Sequence, residues 1–166
     1  CSSLRFGLET AWLNLIEEQN GVPWYRTLTG TYCDMISVNA LVNSDHLEDE
    51  VCDCVKRGYR HIKVKVGGKT PRQAAEIVWN ILDMYGEQVI LRLDANSKWP
   101  LDVANQFSEL VYEYPIEYIE EPVDKIEDIP SFIKKSPIPV ALDESLGKLD
   151  DIVEGVYALI LKPMLR

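Results

Sequence analysis

Two lysines in the stretch HIKVKVGG, residues 61–68, have the chemistry and the spacing of proton-transfer groups. Lys63 and Lys65 are two positions apart in a predicted strand, so their side chains leave the same face of that strand. When two ammonium groups lie close together and lose water, the pKa of a lysine falls toward the range in which it can act as a base. Lys162, at the end of the last predicted strand, is a third candidate. The lysines therefore predict acid–base chemistry where the strands end.

Acidic residues stand at the carboxyl ends of three further predicted strands, namely Asp94, Glu120 and Asp143. Three carboxylates in a partly dry site repel one another strongly unless a cation lies among them. Ligand sets made only of oxygen atoms suit Mg²⁺ or Mn²⁺ better than zinc. The acidic residues therefore predict a divalent metal site next to the lysines.

Each of these residues also has a purely structural interpretation. Asp143 with Ser145 could cap a helix, Glu120 and Glu121 could belong to a solvated turn, and the two lysines could protect the edge of a strand. Ionisable residues at the ends of five successive predicted strands are, however, hard to explain as independent coincidences. We therefore favour the functional interpretation.

Strands and helices alternate along the chain, and short loops join them. The predicted strands lie near 36–42, 61–66, 89–94, 116–121, 138–143 and 157–162. A helix over 1–20 leads into the first strand, and further helices are predicted near 46–57, 71–85, 101–113, 126–135 and 148–154. This alternation requires parallel pairing, and the apolar character of the strands indicates that both faces of the sheet are covered.

Two α/β folds fit that alternation, a doubly wound sheet and a (β/α) barrel. In a barrel, the carboxyl ends of all strands converge on one mouth, where active sites are built. In a doubly wound sheet, only the strands near the switch point contribute to a site. Because ionisable residues end nearly every predicted strand, we predict the barrel.

The composition argues against several classes of partner. The chain has 17 basic and 27 acidic residues, and its net charge of −10 argues against nucleic-acid and anionic-membrane surfaces, which need a positive field. No apolar run is long enough for a membrane span and the first residues lack the layout of a signal peptide, so we expect a soluble protein. The cysteines lack zinc-type spacing and are expected to be free thiols in a reducing compartment such as the cytoplasm: Cys1, Cys33, Cys52 and Cys54.

The motifs KVK, LDAN, IEEP, ALDES and LKP follow one another in an order that resembles the enolase superfamily. The resemblance implies a partial TIM (β/α)8 barrel in which residues 1–166 form one incomplete domain, without the N-terminal capping domain and the last two units of that family. Among the branches, LRLDANSKW, YIEEP, ALDESL and LKPML are most similar to o-succinylbenzoate synthases. That branch implies a lyase of menaquinone and phylloquinone biosynthesis, which dehydrates 2-succinyl-6-hydroxy-2,4-cyclohexadiene-1-carboxylate to o-succinylbenzoate.

The resemblance also implies a metal-binding set. Asp94, Glu120 and Asp143 would bind Mg²⁺, with Mn²⁺ as an alternative. Of the two adjacent glutamates, Glu120 would be the ligand, and Glu121 would support the ligands without binding the metal. Asn96 would hold a metal-bound water.

For the lysines, the resemblance implies distinct roles around a small anionic carboxylate substrate. Lys65 would remove the proton alpha to the substrate carboxylate and then assist the departure of hydroxide on the same face. Lys63 would orient the substrate carboxylate and favour the neutral form of Lys65. Lys162, on the opposite face, would stabilise the enediolate through a cation–π contact.

Several alternatives stay open at this point. N-acylamino acid racemases, dipeptide epimerases and muconate cycloisomerases share the same layout of lysines and metal ligands. The chain could also be a fragment of a longer protein or a non-catalytic truncated remnant. By itself it would be inactive and poorly soluble, because the cap that excludes water is absent and a six-strand arc leaves two unpaired edges. The plastid stroma is a further location if the source is a photosynthetic eukaryote.

Overall fold

The computed structural model describes residues 2–28, 31–33, 35–42, 46–149 and 153–162. Two compact units are present, one made of Cys1–Ser37 with Leu161–Arg166 and the other of Val38–Ile160. The first unit contains helices α1 (Ser2–Asn20) and α2 (Trp24–Leu28). The second contains, in chain order, β1 (Asn39–Val42), α3 (Leu47–Lys56), β2 (His61–Lys65), α4 (Pro71–Tyr85), β3 (Ile90–Asp94), α5 (Leu101–Leu110), β4 (Ile116–Glu120), α6 (Ile129–Lys135), β5 (Val140–Leu142) and β6 (Val156–Leu159). Short 3₁₀ helices lie at Gly86–Gln88, Ile126–Asp128 and Glu144–Gly147.

The strands form one six-stranded sheet in the order β1-β2-β3-β4-β5-β6, and every neighbouring pair is parallel. This strictly sequential order is that of a (β/α) barrel, because the strand order of a doubly wound sheet reverses at its switch point. The predicted α/β barrel architecture is therefore confirmed. Since all the strands run the same way, their carboxyl ends share one edge of the sheet.

Side chains of the central strands alternate between an apolar and a polar face. In β2, Ile62 and Val64 are fully buried, whereas Lys63 is partly buried and Lys65 is exposed. The apolar face packs with the helices into one core, whose fully buried members include Ile62, Val64, Val78, Ile81, Leu91, Leu93, Phe107 and Phe132. The alternation explains how two lysines can leave the same side of an interior strand.

Local sequence signals set where the helices begin and end. The Thr70 hydroxyl accepts a hydrogen bond from the Gln73 amide at 3.3 Å, and the Gln73 side chain accepts one from the Thr70 amide at 3.0 Å. This capping box, followed by Pro71, starts α4. Near the start of the chain, α1 ends at Asn20 because Gly21 adopts a φ of 65°, as the stretch NGVP predicts.

The outer strands are shorter than the sequence predicts. β1 begins at Asn39 rather than near residue 36, because residues 35–38 are exposed and lie outside the sheet. β6 covers Val156–Leu159, whereas the prediction extended to residue 162. The interior strands β2, β3 and β4 agree with their predicted bounds to within one residue.

The helix predicted near 148–154 is wrong where the structure describes that range. Residues 148–149 and 153–154 are not helical, and residues 150–152 lie outside the described residues. A 3₁₀ helix at Glu144–Gly147 occurs instead. The backbone amides of Asp143 and Ser145 donate hydrogen bonds to the Glu121 side chain at 2.7 and 2.8 Å. These bonds hold the 3₁₀ turn against the end of β4.

Two further observations concern the helices and the cysteines of the described residues. None of the helices found there is both long and apolar enough to cross a membrane. The described cysteines, Cys33, Cys52 and Cys54, are free thiols, and Cys1 lies outside the described residues.

Candidate active site

The strand register places Lys65, Asp94 and Glu120 side by side at the carboxyl edge of the sheet. Lys65 is paired with Asp94, and Asp94 is paired with Glu120. Glu120 is paired in turn with Ala141, and Asp143 follows the end of β5 at the same edge. The carboxylates are nearly inaccessible to solvent, since Asp94, Glu120 and Asp143 are 3%, 1% and 6% exposed. The predicted metal ligands therefore lie on neighbouring strands at one edge.

Lys63 bridges two of these carboxylates. Its Nζ atom is 2.9 Å from Asp94 Oδ2 and 2.7 Å from Glu120 Oε2. Burial lowers the pKa of Lys63, but the hydrogen bonds and charges of Glu120 and Asp94 outweigh it, so the net shift is upward. The ammonium group is therefore held in its charged form and offsets part of the negative charge.

One carboxylate oxygen of Glu120 accepts no hydrogen bond inside the cluster. Its Oε1 atom is buried and has no hydrogen-bond partner among the described residues. Burial is the largest cause that raises the pKa of Glu120 to about 7, and the Asp94 charge and the Asp143 carboxyl group raise it further, while Lys63 opposes the shift. The cluster thus carries more negative charge than its own cation offsets.

The chemistry of the cluster fits a divalent cation. Its donors are carboxylate oxygens, which Mg²⁺ prefers, and one buried oxygen, Glu120 Oε1, lacks a partner. Within the described residues, no three acidic, histidine or cysteine side chains are gathered tightly enough to hold an ion as they stand. The assignment of Asp94, Glu120 and Asp143 as ligands therefore stays a prediction.

The two residues expected to support the ligands lie in turns with a left-handed backbone. Asn96 and Glu121 have φ values of 50° and 47°, and Ser97 has 53°. The backbone amide of Asn96 donates a hydrogen bond to Asp94 Oδ1 at 3.0 Å, and this bond restrains the Asp94 carboxylate. Glu121 is fully buried, and its side chain bonds the turns that follow β3 and β5. That Asn96 holds a metal-bound water stays a prediction.

The remaining two lysines occupy different environments. Lys65 is exposed at the end of β2, where a substrate could reach it. Lys162 follows β6, is partly buried and belongs to the other compact unit. Its role on the opposite face of the substrate therefore stays a prediction.

A further polar group, which the sequence analysis missed, lies toward the amino ends of the strands. Arg92 donates from Nε to Glu117 Oε2 at 2.7 Å and from Nη1 to Asn39 Oδ1 at 3.0 Å. Its guanidinium carbon lies 5.4 Å from the centre of the Tyr118 ring, and His61 Nε2 is 3.9 Å from Glu117 Oε2. Strand alternation was the available signal, because Arg92 and His61 each stand two positions before a predicted site residue.

The comparison with known families agrees with this arrangement. The family described as "Enolase C-terminal domain-like" matches residues 46–158 of the chain. The chain belongs to the enolase superfamily. The resemblance predicted from the five ordered motifs is thus confirmed at the level of the superfamily.

Proteins similar to this chain carry several names. "Protein PHYLLO, chloroplastic" of Arabidopsis thaliana is 32% identical over 97% of this chain, which spans 11% of that protein. An o-succinylbenzoate synthase of Salmonella arizonae is 36% identical over 65% of this chain, which spans 35% of that enzyme. A crystal structure of a dipeptide epimerase from Cytophaga hutchinsonii, complexed with Mg and the dipeptide D-Ala-L-Val, is 32% identical with a TM-score of 0.67. That match covers 80% of this chain and 37% of the epimerase.

Proposed function

We propose that the protein containing this chain is an o-succinylbenzoate synthase, a lyase that dehydrates 2-succinyl-6-hydroxy-2,4-cyclohexadiene-1-carboxylate with the help of a divalent metal. The observation that carries the proposal is the pairing of Lys65 with Asp94 and of Asp94 with Glu120, which sets a candidate base beside buried carboxylates. The 36% identity to the Salmonella arizonae synthase supports the choice of reaction. We assign the reaction to the cytoplasm, or to the plastid stroma because one relative is named as chloroplastic.

The acidic residues would form the metal site of this enzyme. Asp94, Glu120 and Asp143 would hold the ion, and the unpartnered Oε1 atom of Glu120 supports this assignment. When bound, Mg²⁺ supplies Lewis-acid stabilisation to negative charge that develops on the substrate carboxylate. Asn96, which already steadies Asp94, would also order a water beside the ion.

The lysines would carry out the proton transfers. Lys65 removes the proton alpha to the substrate carboxylate and then delivers that proton to the departing hydroxide, which leaves as water. Because proton and hydroxide leave from one face, a single lysine serves both steps. Lys63, held by two carboxylates, adds a fixed positive charge toward the substrate carboxylate. Lys162 stays protonated and stabilises the charge that develops on the opposite face.

A second candidate function is the epimerisation of a dipeptide or an N-acylamino acid. The similarity to the dipeptide epimerase of Cytophaga hutchinsonii favours it. Epimerisation moves a proton on both faces of the alpha carbon, so both Lys65 and Lys162 would have to exchange protons with the substrate. Dehydration needs only Lys65 to do so, and this difference separates the two functions.

Substitution of the two lysines tests the assignment in the complete protein with Mg²⁺. We expect Lys65→Ala to lower kcat for dehydration by about 100- to 10,000-fold, the usual contribution of a general base. Lys162→Arg keeps the charge and should retain more activity than Lys65→Ala. The measurement is the formation of o-succinylbenzoate, followed by absorbance. Lys148→Arg, an exposed lysine in the loop after β5, serves as the control and should match the wild type.

Hydrogen exchange with solvent gives the second readout. With a substrate analogue that cannot lose hydroxide, deuterium incorporation at the alpha carbon should depend on Lys65 and be nearly indifferent to Lys162. If the two lysines exchange with opposite enantiomers, and the protein racemises N-succinylamino acids or dipeptides without dehydrating the cyclohexadiene, the synthase assignment is wrong.

A further inference from the structure

Glu121 is a buried glutamate whose carboxylate oxygens accept hydrogen bonds from residues of two loops. The residue is 0% exposed. Its Oε1 atom accepts hydrogen bonds from the amides of Asp143 and Ser145 at 2.7 and 2.8 Å. Its Oε2 atom accepts from the hydroxyls of Ser145 and Ser97 at 2.6 and 3.1 Å. Both carboxylate oxygens of Glu121 thus accept hydrogen bonds from the protein, and no metal ion is required to pair them.

The backbone of Glu121 contacts strand β5 and the turn after β3. Its amide donates to Ala141 O at 3.1 Å, and its carbonyl accepts from the Ser97 amide at 2.9 Å. The turns after β3, β4 and β5 therefore meet at this one residue. Each turn directly follows a predicted metal ligand or contains one: Asp94, Glu120 and Asp143.

Two of these turns, those after β3 and β4, are conformationally strained. Asn96, Ser97 and Glu121 have φ values of 50°, 53° and 47°, a region that residues with a side chain seldom occupy. Such conformations persist only where the surrounding contacts enforce them. Hydrogen bonds to a carboxylate are among the stronger ones. The Glu121 side chain accepts one from Ser97 in the strained turn after β3, and Glu121 is itself the strained residue of the turn after β4. The side chain therefore supplies the restraint that the strained backbone requires.

We propose that Glu121 is a positioning residue, which holds the turns after β3, β4 and β5 so that Asp94, Glu120 and Asp143 can act on one divalent ion. The proposal rests on the proposed function, since it assumes that these carboxylates form the metal site. Glu121 acts through the backbone of its neighbours and contacts neither metal nor substrate. Its contribution is therefore to metal affinity and not to proton transfer.

The role can be separated from a purely electrostatic one because Glu121→Gln removes the charge but keeps the shape. The amide oxygen of Gln can still accept from the amides of Asp143 and Ser145. The amide nitrogen can donate to the hydroxyls of Ser145 and Ser97, which rotate to accept. Glu121→Ala removes all of these bonds and leaves buried amides without partners.

The test is the affinity of the complete protein for Mn²⁺, measured by electron paramagnetic resonance on samples shown to be folded by near-ultraviolet circular dichroism. We expect Glu121→Ala to weaken Mn²⁺ binding by about 10- to 100-fold, the usual effect of removing a group that orients metal ligands. Glu121→Gln should stay within about 3-fold of the wild type if hydrogen bonding carries the role. The control is Ser108→Ala, which removes a buried hydroxyl that bonds Ser136, a residue outside the three turns, and should leave Mn²⁺ affinity unchanged.

Two further variants keep the test decisive if Glu121→Ala does not fold. Ser97→Ala and Ser145→Ala, made together, retain the carboxylate but remove both hydroxyl donors, and they should weaken Mn²⁺ binding measurably. Wild-type affinity in this double variant, or in a folded Glu121→Ala protein, would overturn the proposal. Equal loss in Glu121→Gln and Glu121→Ala would also overturn it, since the charge would then be the cause.

The reaction and the positioning role fail in different ways. A protein whose Mn²⁺ affinity depends on Glu121, but which does not dehydrate the cyclohexadiene, would contradict the synthase assignment and support the positioning role. A protein that dehydrates the cyclohexadiene, but whose Mn²⁺ affinity does not depend on Glu121, would support the synthase assignment and contradict the positioning role. A wild-type protein that binds no Mn²⁺ would overturn both.

Discussion

At the scale of single residues, the cluster at the carboxyl edge is governed by burial. Asp94, Glu120 and Asp143 are all nearly inaccessible, and Lys63 offsets only part of their charge. Glu120 responds most clearly, because its pKa rises from 4.5 to about 7. A buried glutamate that prefers its protonated form when no metal is bound stabilises the fold in acid and destabilises it when ionised.

This imbalance predicts an unusual pH dependence of stability when metal is removed with EDTA. Between the unfolded value of 4.5 and the folded value of about 7, the folded protein binds more protons at Glu120 than the unfolded chain does. The free energy of unfolding contributed by this group is therefore fully present below the lower value and is lost as the pH rises through the higher one. We therefore expect the free energy of unfolding of Glu120→Gln, measured by urea titration, to rise relative to that of the wild type as the pH increases from about 5 to about 8.

The control for this comparison is Glu87→Gln, which removes a carboxylate from an exposed position away from the buried cluster. A stability difference between Glu120→Gln and wild type that is constant over the same range would contradict the prediction. Added Mg²⁺ should reduce the difference, because a bound cation favours the ionised carboxylate.

At the scale of elements, the loop between β2 and α4 depends on a close contact with the turn after β3. Gly67 lies against Ala95, so that an added Cβ atom would meet Ala95 O at 1.9 Å and Ala95 C at 2.6 Å. The amides of Val66 and Gly67 both donate to Asp94 O, at 2.9 and 3.3 Å. Only glycine permits this approach, which links the strand end that carries Lys65 to the one that carries Asp94.

We predict that Gly67→Ala separates these two strand ends. The atoms in the way belong to the backbone, so the loop has to shift, and overpacking of this kind costs about 1 to 3 kcal/mol. Urea unfolding should show that loss, and Mn²⁺ affinity should fall with it because Asp94 is displaced. Gly147→Ala is the matched control, since nothing lies within 4 Å of its added Cβ atom. Similar stability of the two variants would show that the contact is not needed.

At the scale of the whole molecule, the regular parts of the fold were predictable from the sequence and the irregular contacts were not. The alternation of strands and helices and the placement of Lys63, Asp94 and Glu120 follow from local patterns. The pairing of Arg92 with Glu117 does not, because it depends on a register shift between Leu91 and Arg92 where β3 meets β4. A bulge of this type is decided by contacts between strands that are distant in sequence.

The failed helix near 148–154 has a similar origin. The stretch has a helical pattern of apolar residues, but a 3₁₀ turn begins directly after Asp143. The amides of Asp143 and Ser145 bind Glu121, which lies 22 residues before Asp143. A tertiary hydrogen bond therefore sets the conformation of the residues that directly precede the predicted helix.

The outer strands of the sheet lead to a prediction about the 166-residue chain expressed alone. Among the described residues, β1 and β6 each pair with one neighbour only, so each leaves a row of backbone groups open to another chain. Both strands also expose apolar side chains: Leu41 is 55% exposed on β1, and Tyr157 and Leu159 are 58% and 37% exposed on β6. Long-lived exposed strand edges of this kind promote association at micromolar concentration.

We therefore expect this chain alone to elute as oligomers in size-exclusion chromatography with light scattering, and to show no dehydratase turnover. Leu41→Lys combined with Tyr157→Lys places a charge on each open strand and should raise the monomer fraction, because charged edge residues oppose strand pairing. Tyr112→Lys is the matched control: Tyr112 is 63% exposed but lies outside the strands, so its substitution should leave the oligomers unchanged. A monodisperse, stable wild-type monomer would show that these edges are protected by something other than pairing. An equal gain from the Tyr112 control would mean that general surface charge, and not the strand edges, sets the association.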